Sequence, residues 1–229
     1  MNNIIIRLVS LGLIVFNMLH SEDIDNAMEL YMEGEISLLS EDLVSAEKYF
    51  NQALVFSPND PSIISSLLEL NIRTENFNNI EKLLVQYLIF KELDTNISLN
   101  IIELYKRHNN NKIIEITDLL IKNNPMSLEL KYEKAQILIL NEDWNELLLL
   151  YADIYLLTED PDLFDTLLNI GLTIEDPNVL YDTLKYIWKN IKNNTEILEL
   201  LIQLSYISDD RDLTEEYLYE LISYDENNE

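Results

Sequence analysis

Two histidines, His20 and His108, are the side chains best suited to move a proton near neutral pH, and neither has neighbours that would make it a catalyst. His20 closes an apolar N-terminal stretch, and His108 sits in the polar segment Lys106-Arg107-His108-Asn109, where a solvated surface role is expected. A Ser, His, Asp triad therefore has nothing to rest on. With 42 Asp and Glu residues, almost any carboxylate pair could be nominated as a general acid and base, so the nomination carries no weight without a buried pair of separated pKa. The run Asp209-Asp210-Arg211-Asp212 has the acid density of a calcium site but lacks the glycine and the spaced glutamate of an EF-hand loop, which leaves weak, non-specific cation binding. The chain has no Cys, which removes disulfides, thiolate metal sites, redox motifs and a lipid-modified cysteine. A glycine-rich phosphate loop, a zinc-ligand cluster and a dinucleotide fingerprint are also missing from the sequence. The expectation is a non-enzymatic chain with no catalytic residues, cofactor or resident metal.

What remains is surface. Lys and Arg total 15, so the formal charge is −27 at pH 7. A polyanion of that density is repelled by nucleic acid phosphates and by anionic lipid headgroups, whereas basic proteins, cationic peptides and divalent cations are attracted. The same acids would also keep a long Leu-rich protein soluble. Among the 13 Tyr, most are expected to pack between helices, and Tyr31 and Tyr132 to face outward as contact residues.

The elements that would position such residues are helical. Hydrophobic residues make up 48% of the chain with only 3 Gly and 5 Pro, which suits continuous helices joined by short turns. Strict apolar alternation, the mark of half-buried strands, does not appear. From Leu30 to Pro58, the residues Leu30, Gly34, Leu43, Ala46, Phe50, Ala53 and Pro58 fall at the spacings of a tetratricopeptide repeat. One helix is expected over about 24–39 and a second over about 41–56, with Ser40 as the second helix's N-cap. Gly34 and Ala46 are the small residues that let the two axes approach to near the lower end of roughly 8 to 10 Å. Leu43 steps to Phe77 and on to Trp144, each just after an acidic or Asn-bearing turn. Gly34 steps to Leu68, Ile101 and Ala135, so wider or tilted middle pairs are expected. Pro58, Pro61, Pro125, Pro161 and Pro177 fall at helix boundaries, as proline requires. The expected pairs are 24–57, 60–92, 95–123, 126–158, 161–192 and 195–223.

The chain thus resembles the tetratricopeptide repeat family, most closely in its first pair. The resemblance implies an all-α, right-handed α-solenoid of about six antiparallel helical pairs over residues 22–223, with 224–229 as a polar tail and the acidic last helix as a cap. It also implies that the first helix of each pair lines a concave groove where a peptide or protein binds. Here those positions hold Tyr31, Glu35, Leu38, Ser65, Glu69, Ile72, Tyr105, Glu129, Tyr132 and Gln136. Family members that grip a C-terminal carboxylate do so with Lys, Arg and Asn. Tyr31, Glu35, Ser65 and Glu69 at the matching positions argue against that role. The expected function is a protein-protein interaction scaffold with an acidic, Tyr-bearing groove. The alternatives are a structural self-assembly partner and an envelope enzyme whose catalytic carboxylates are hidden among the acids.

Residues 1–21 read as a secretory signal peptide: Arg7 is the only charged side chain, 12 residues from Leu8 to Leu19 form a largely apolar stretch, and His20-Ser21 leads into Glu22-Asp23. A bilayer-spanning helix needs about 20 apolar residues. An uncleaved anchor over Ile4–Leu19, with Arg7 reaching the interface, is the alternative. An exported protein of the periplasm or cell envelope is expected, with no membrane contact by the folded part unless that anchor is retained.

Overall fold

The computed structural model of the chain describes residues 23–88, 93–192, 194–207 and 210–226, and all regular structure there is helical. The expected signal segment 1–21, Asp209 of the acidic run and residues 227–229 of the tail lie outside the described residues. The chain divides between Pro125 and Met126 into two compact units.

The first unit holds α1 (23–39), α2 (Leu43–Phe56), α3 (Pro61–Arg73), α4 (Phe77–Tyr87), α5 (Thr95–Arg107) and α6 (Ile113–Asn123). The second holds α7 (Leu128–Leu140), α8 (Trp144–Thr158), α9 (Pro161–Thr173), α10 (Pro177–Ile191), α11 (Thr195–Ile207) and α12 (Arg211–Glu226). Among the described residues these are six antiparallel pairs near the expected boundaries, except that α4 ends at Tyr87, short of the expected 92, and α12 runs to Glu226.

The turn inside a pair is built the same way again and again. Glu41 sits at φ 60°, Glu75 at 56°, Asn109 at 47° and Glu142 at 57°, all in the left-handed region. The next residue donates its N–H back across the turn to the carbonyl five residues earlier: Asp42 to Ser37 (2.9 Å), Asn76 to Asn71 (2.9 Å), Asn110 to Tyr105 (3.0 Å) and Asp143 to Leu138 (3.0 Å). This is the Schellman closure of a helix end. In three of the four turns the same residue then caps the next helix, its side chain accepting from the N–H of Ser45, Asn79 or Glu146. One residue ends the first helix and starts the second. Ser40, the expected N-cap, instead lies on the near side of the turn, where its hydroxyl donates to the Ile36 carbonyl at 2.8 Å, and Asp42 takes the capping position.

Between pairs the starts are different. Pro61 and Pro161 each open a first helix, with Asp60 and Asp160 accepting first-turn N–H groups, and Pro177 with Asp176 opens α10 in the same way inside the fifth pair. Packing inside the first pair turns on Gly34, where a Cβ would lie 2.5 Å from two ring carbons of the fully buried Phe50. Ala46 and Ala53 are also fully buried. In the second unit Gly171 stands in the same relation to Leu180. At the stepped positions of the middle pairs, Leu68 and Ile101 are fully interior and Ala135 nearly so.

Candidate interaction surfaces

In the first unit the expected groove residues separate into interior and surface. Leu38 is buried on α1, and Tyr105 is wholly buried on α5, so neither offers surface to a partner. The Tyr105 ring meets Phe77 edge-on at 5.0 Å, and its hydroxyl donates to Glu81 Oε1 at 3.3 Å. Burial first, then the Glu81 charge, push that hydroxyl well above the usual tyrosine range. Tyr31 is half-buried, its ring centroid 5.9 Å from that of Phe50. Glu35 accepts a hydrogen bond from Ser66 Oγ at 2.5 Å, tying α1 to α3. Glu69 is exposed and pairs with Arg73 along its own helix at 2.9 Å, while Ser65 and Ile72 are half-buried. His108 caps α5 at its C-terminal end, with Nε2 3.1 Å from Glu75 and the ring edge-on to Phe77 at 5.4 Å.

In the second unit Glu129, Tyr132 and Gln136 are all exposed along α7, and Tyr132 shows 42% of its surface. Their spacing of three and four residues puts them on one helix face. Ser127, the α7 N-cap, donates to Glu129 at 3.0 Å. Beside that face lie two lysines the sequence reading did not single out. Lys131 and Lys134 are 6% and 9% exposed, and their ammonium groups reach Asp153 at 3.6 Å and Glu146 at 2.5 Å. Asp153 also accepts from the Tyr186 hydroxyl at 2.8 Å, which holds that phenol above its usual range. Lys134, Glu146, Leu149, Leu150, Asp153 and Tyr186 line an open cleft of about 290 Å³. Among the described residues no cluster of three or more His, Asp or Glu side chains could hold a metal ion. Asp210, the described neighbour of Asp209, accepts from the Leu213 N–H at the start of α12.

A second surface also escaped the sequence reading. Ile24, Met28, Met32, Ile36 and Leu39 are all exposed on α1. Their spacing of four, four, four and three residues would have shown it, had the helix been read for two apolar faces instead of one.

Left-handed turns at Glu41, Glu75 and Asn109 recur at 34-residue steps, each between the antiparallel helices of a pair, and Gly34 is pressed against Phe50 where the motif places its small residue. The pairs are tetratricopeptide-like. No protein-family model and no curated protein matches the sequence. Among solved structures, the chain is similar to a tetratricopeptide repeat protein from Parabacteroides merdae at 15% identity, over 87% of this chain and 80% of that one, with a TM-score of 0.45. It is similar to PilF of Pseudomonas aeruginosa at 13% identity, over 88% and 91% of the two chains, with a TM-score of 0.39. It is also similar to PilW, a type IV pilus biogenesis factor, at 13% identity over 86% and 92%, with a TM-score of 0.38. In a tetratricopeptide-like pair the outward faces of the first helix are free of the partner helix. Here those faces carry carboxylates, the exposed Tyr132 and Tyr206 and, on α1, a row of aliphatic and Met side chains.

Proposed function

We propose that the chain is a non-enzymatic scaffold that holds a basic protein or peptide against acidic, Tyr-bearing faces of its tetratricopeptide-like pairs. The observation that carries this reading is Tyr132, 42% exposed between the exposed Glu129 and Gln136 on one face of α7. A rigid ring beside a carboxylate suits an aliphatic or cationic side chain. The charge of −27 favours a partner of opposite sign and gives its association a salt dependence. Export to the periplasm or envelope is part of the proposal and rests on the composition of residues 1–21. Among the described residues, no helix is long and apolar enough to cross a membrane.

The test is crosslinking capture from the native host with the full chain, followed by mass spectrometry of the bait's N-terminus and its partners. The expected result is a saturable, salt-sensitive protein partner, weakened by Tyr132→Ala and by Glu129→Lys, with a bait that begins near Glu22. A folded Tyr132→Ala, Glu129→Lys protein that keeps full binding would overturn the site. A bait that keeps Met1 and fractionates with membranes would replace export with anchoring.

A further inference from the structure

The row Ile24, Met28, Met32, Ile36 and Leu39 is 52% to 84% exposed along the whole described length of α1. The helix already has its interior contacts on another side, through Ala27, Gly34 and Leu38, so the row is not a core face left over from packing within the pair. The fifteen residue steps from Ile24 to Leu39 rise about 22 Å, which makes the row about four turns long. An exposed apolar strip of that kind marks a contact surface, and two methionines give it a shape that can adapt to the partner.

Its margins define the partner. Residues 23–39 contain Asp23, Asp25, Glu29, Glu33 and Glu35 and no Lys or Arg. Asp25, Glu29 and Glu33 are exposed and each follows a member of the row by one position, so a line of carboxylates runs beside the apolar strip. We propose that this outer face of α1 docks a basic amphipathic helix of a partner protein, whose apolar stripe covers Met28 and Met32 and whose Lys or Arg residues meet the acidic margin. A straight strip of four turns matches a helix packed alongside it, with apolar anchors at three- and four-residue intervals. A second copy of the chain would bring the same acidic margin against itself, and an anionic lipid surface is disfavoured by the same charge. The inference rests on the scaffold reading and adds the partner's chemistry and its seat on α1.

The probes are three synthetic 18-residue peptides titrated against the full chain by fluorescence anisotropy: a Leu/Lys amphipathic helix, the same composition scrambled to break the stripe, and a Leu/Glu helix. The Leu/Lys helix is expected to bind saturably and far more tightly than the other two. Met28→Glu with Met32→Glu is expected to weaken it by about tenfold or more, because two buried methionine contacts are lost. Those substitutions add negative charge, so binding that stays equal or tightens would show mere attraction to a polyanion and overturn the proposal. Equal binding of the scrambled peptide, or no saturable binding of the Leu/Lys helix, would also overturn it. Two further results would overturn it by giving the strip another occupant: mass that rises with concentration and is abolished by the same substitutions, or a crosslink from Met32 to residues 4–19 of the same chain. Peptide binding that survives Met28→Glu with Met32→Glu but is lost in Tyr132→Ala defeats this inference and leaves the scaffold standing. Host capture that yields no protein partner defeats the scaffold instead.

Discussion

Gly34→Ala isolates the close approach that makes the first pair what it is. The added Cβ would lie 2.5 Å from Cδ1 and Cε1 of Phe50 and 3.1 Å from Cζ, against an ordinary carbon-carbon contact of about 3.5 to 4 Å. Something must move by about an ångström, and the nearest mover is a fully buried ring with Tyr31 packed on it. Overpacking of this kind costs about 1 to 3 kcal/mol. Replacing glycine by alanine within a helix returns about 0.8 to 1 kcal/mol. The net expectation is a loss of about 1 kcal/mol, small enough to be confused with other effects, so the decisive measurement is a cycle. In a Phe50→Leu background the ring is gone, and Gly34→Ala should turn neutral or stabilising, giving a coupling of about 1 to 3 kcal/mol with Phe50. Urea unfolding followed by far-UV circular dichroism reads this. Both tryptophans, Trp144 and Trp188, lie in the second unit, so indole fluorescence reports that unit separately. The same Gly34→Ala effect in both backgrounds would refute the contact and with it the register of the repeat. Gly34→Leu should be worse than alanine in the Phe50 background.

Three further outcomes follow from the same geometry. Glu142→Gly should stabilise by up to about 1 kcal/mol, because Glu142 holds φ 57° and a left-handed side chain carries a penalty of about that size; a lower urea midpoint would refute it. Lys131→Met should be neutral or stabilising, since Asp153 is about half exposed and keeps its Tyr186 hydrogen bond, whereas Lys131→Ala should lose about 1 to 3 kcal/mol to the void left by the buried stem. Equal losses in the two variants would mean that the charge, not the packing, is needed. Tyr105 has a folded pKa raised above its unfolded value of about 10, so its contribution is fully present below about pH 10 and lost as pH rises beyond it. Unfolding midpoints should fall above pH 10, and Tyr105→Phe should flatten that fall; an unchanged slope would refute the buried hydroxyl's role.

The helices were legible because their ends carry chemistry that works locally. Pro61, Pro161 and Pro177 open helices behind an aspartate, and Leu43, Phe77 and Trp144 stand at the first position of a second helix, as the recurring acidic turn suggested. Faces were harder to read, and for a physical reason. A helix stacked on both sides buries two stripes, so a position three or four residues from a groove residue can belong to either, and Tyr105 and Leu38 turned inward where Tyr132 turned outward. Lys131 and Lys134 defeat composition in the opposite sense: a lysine can lay its apolar stem inside a pair while its ammonium reaches Asp153 or Glu146, so its charge alone does not place it at the surface. Ser40 and Asp42 are both good capping residues, and the choice between them falls to the turn. Only Asp42 follows the left-handed residue, and only its N–H can close onto Ser37 while its carboxylate opens the next helix. That double use recurs at Asn76 and Asp143, so the recurring turn should fix the angle within each pair, whereas the outward faces, held by no such device, are where the sequence is free to differ and where a partner's identity must be written.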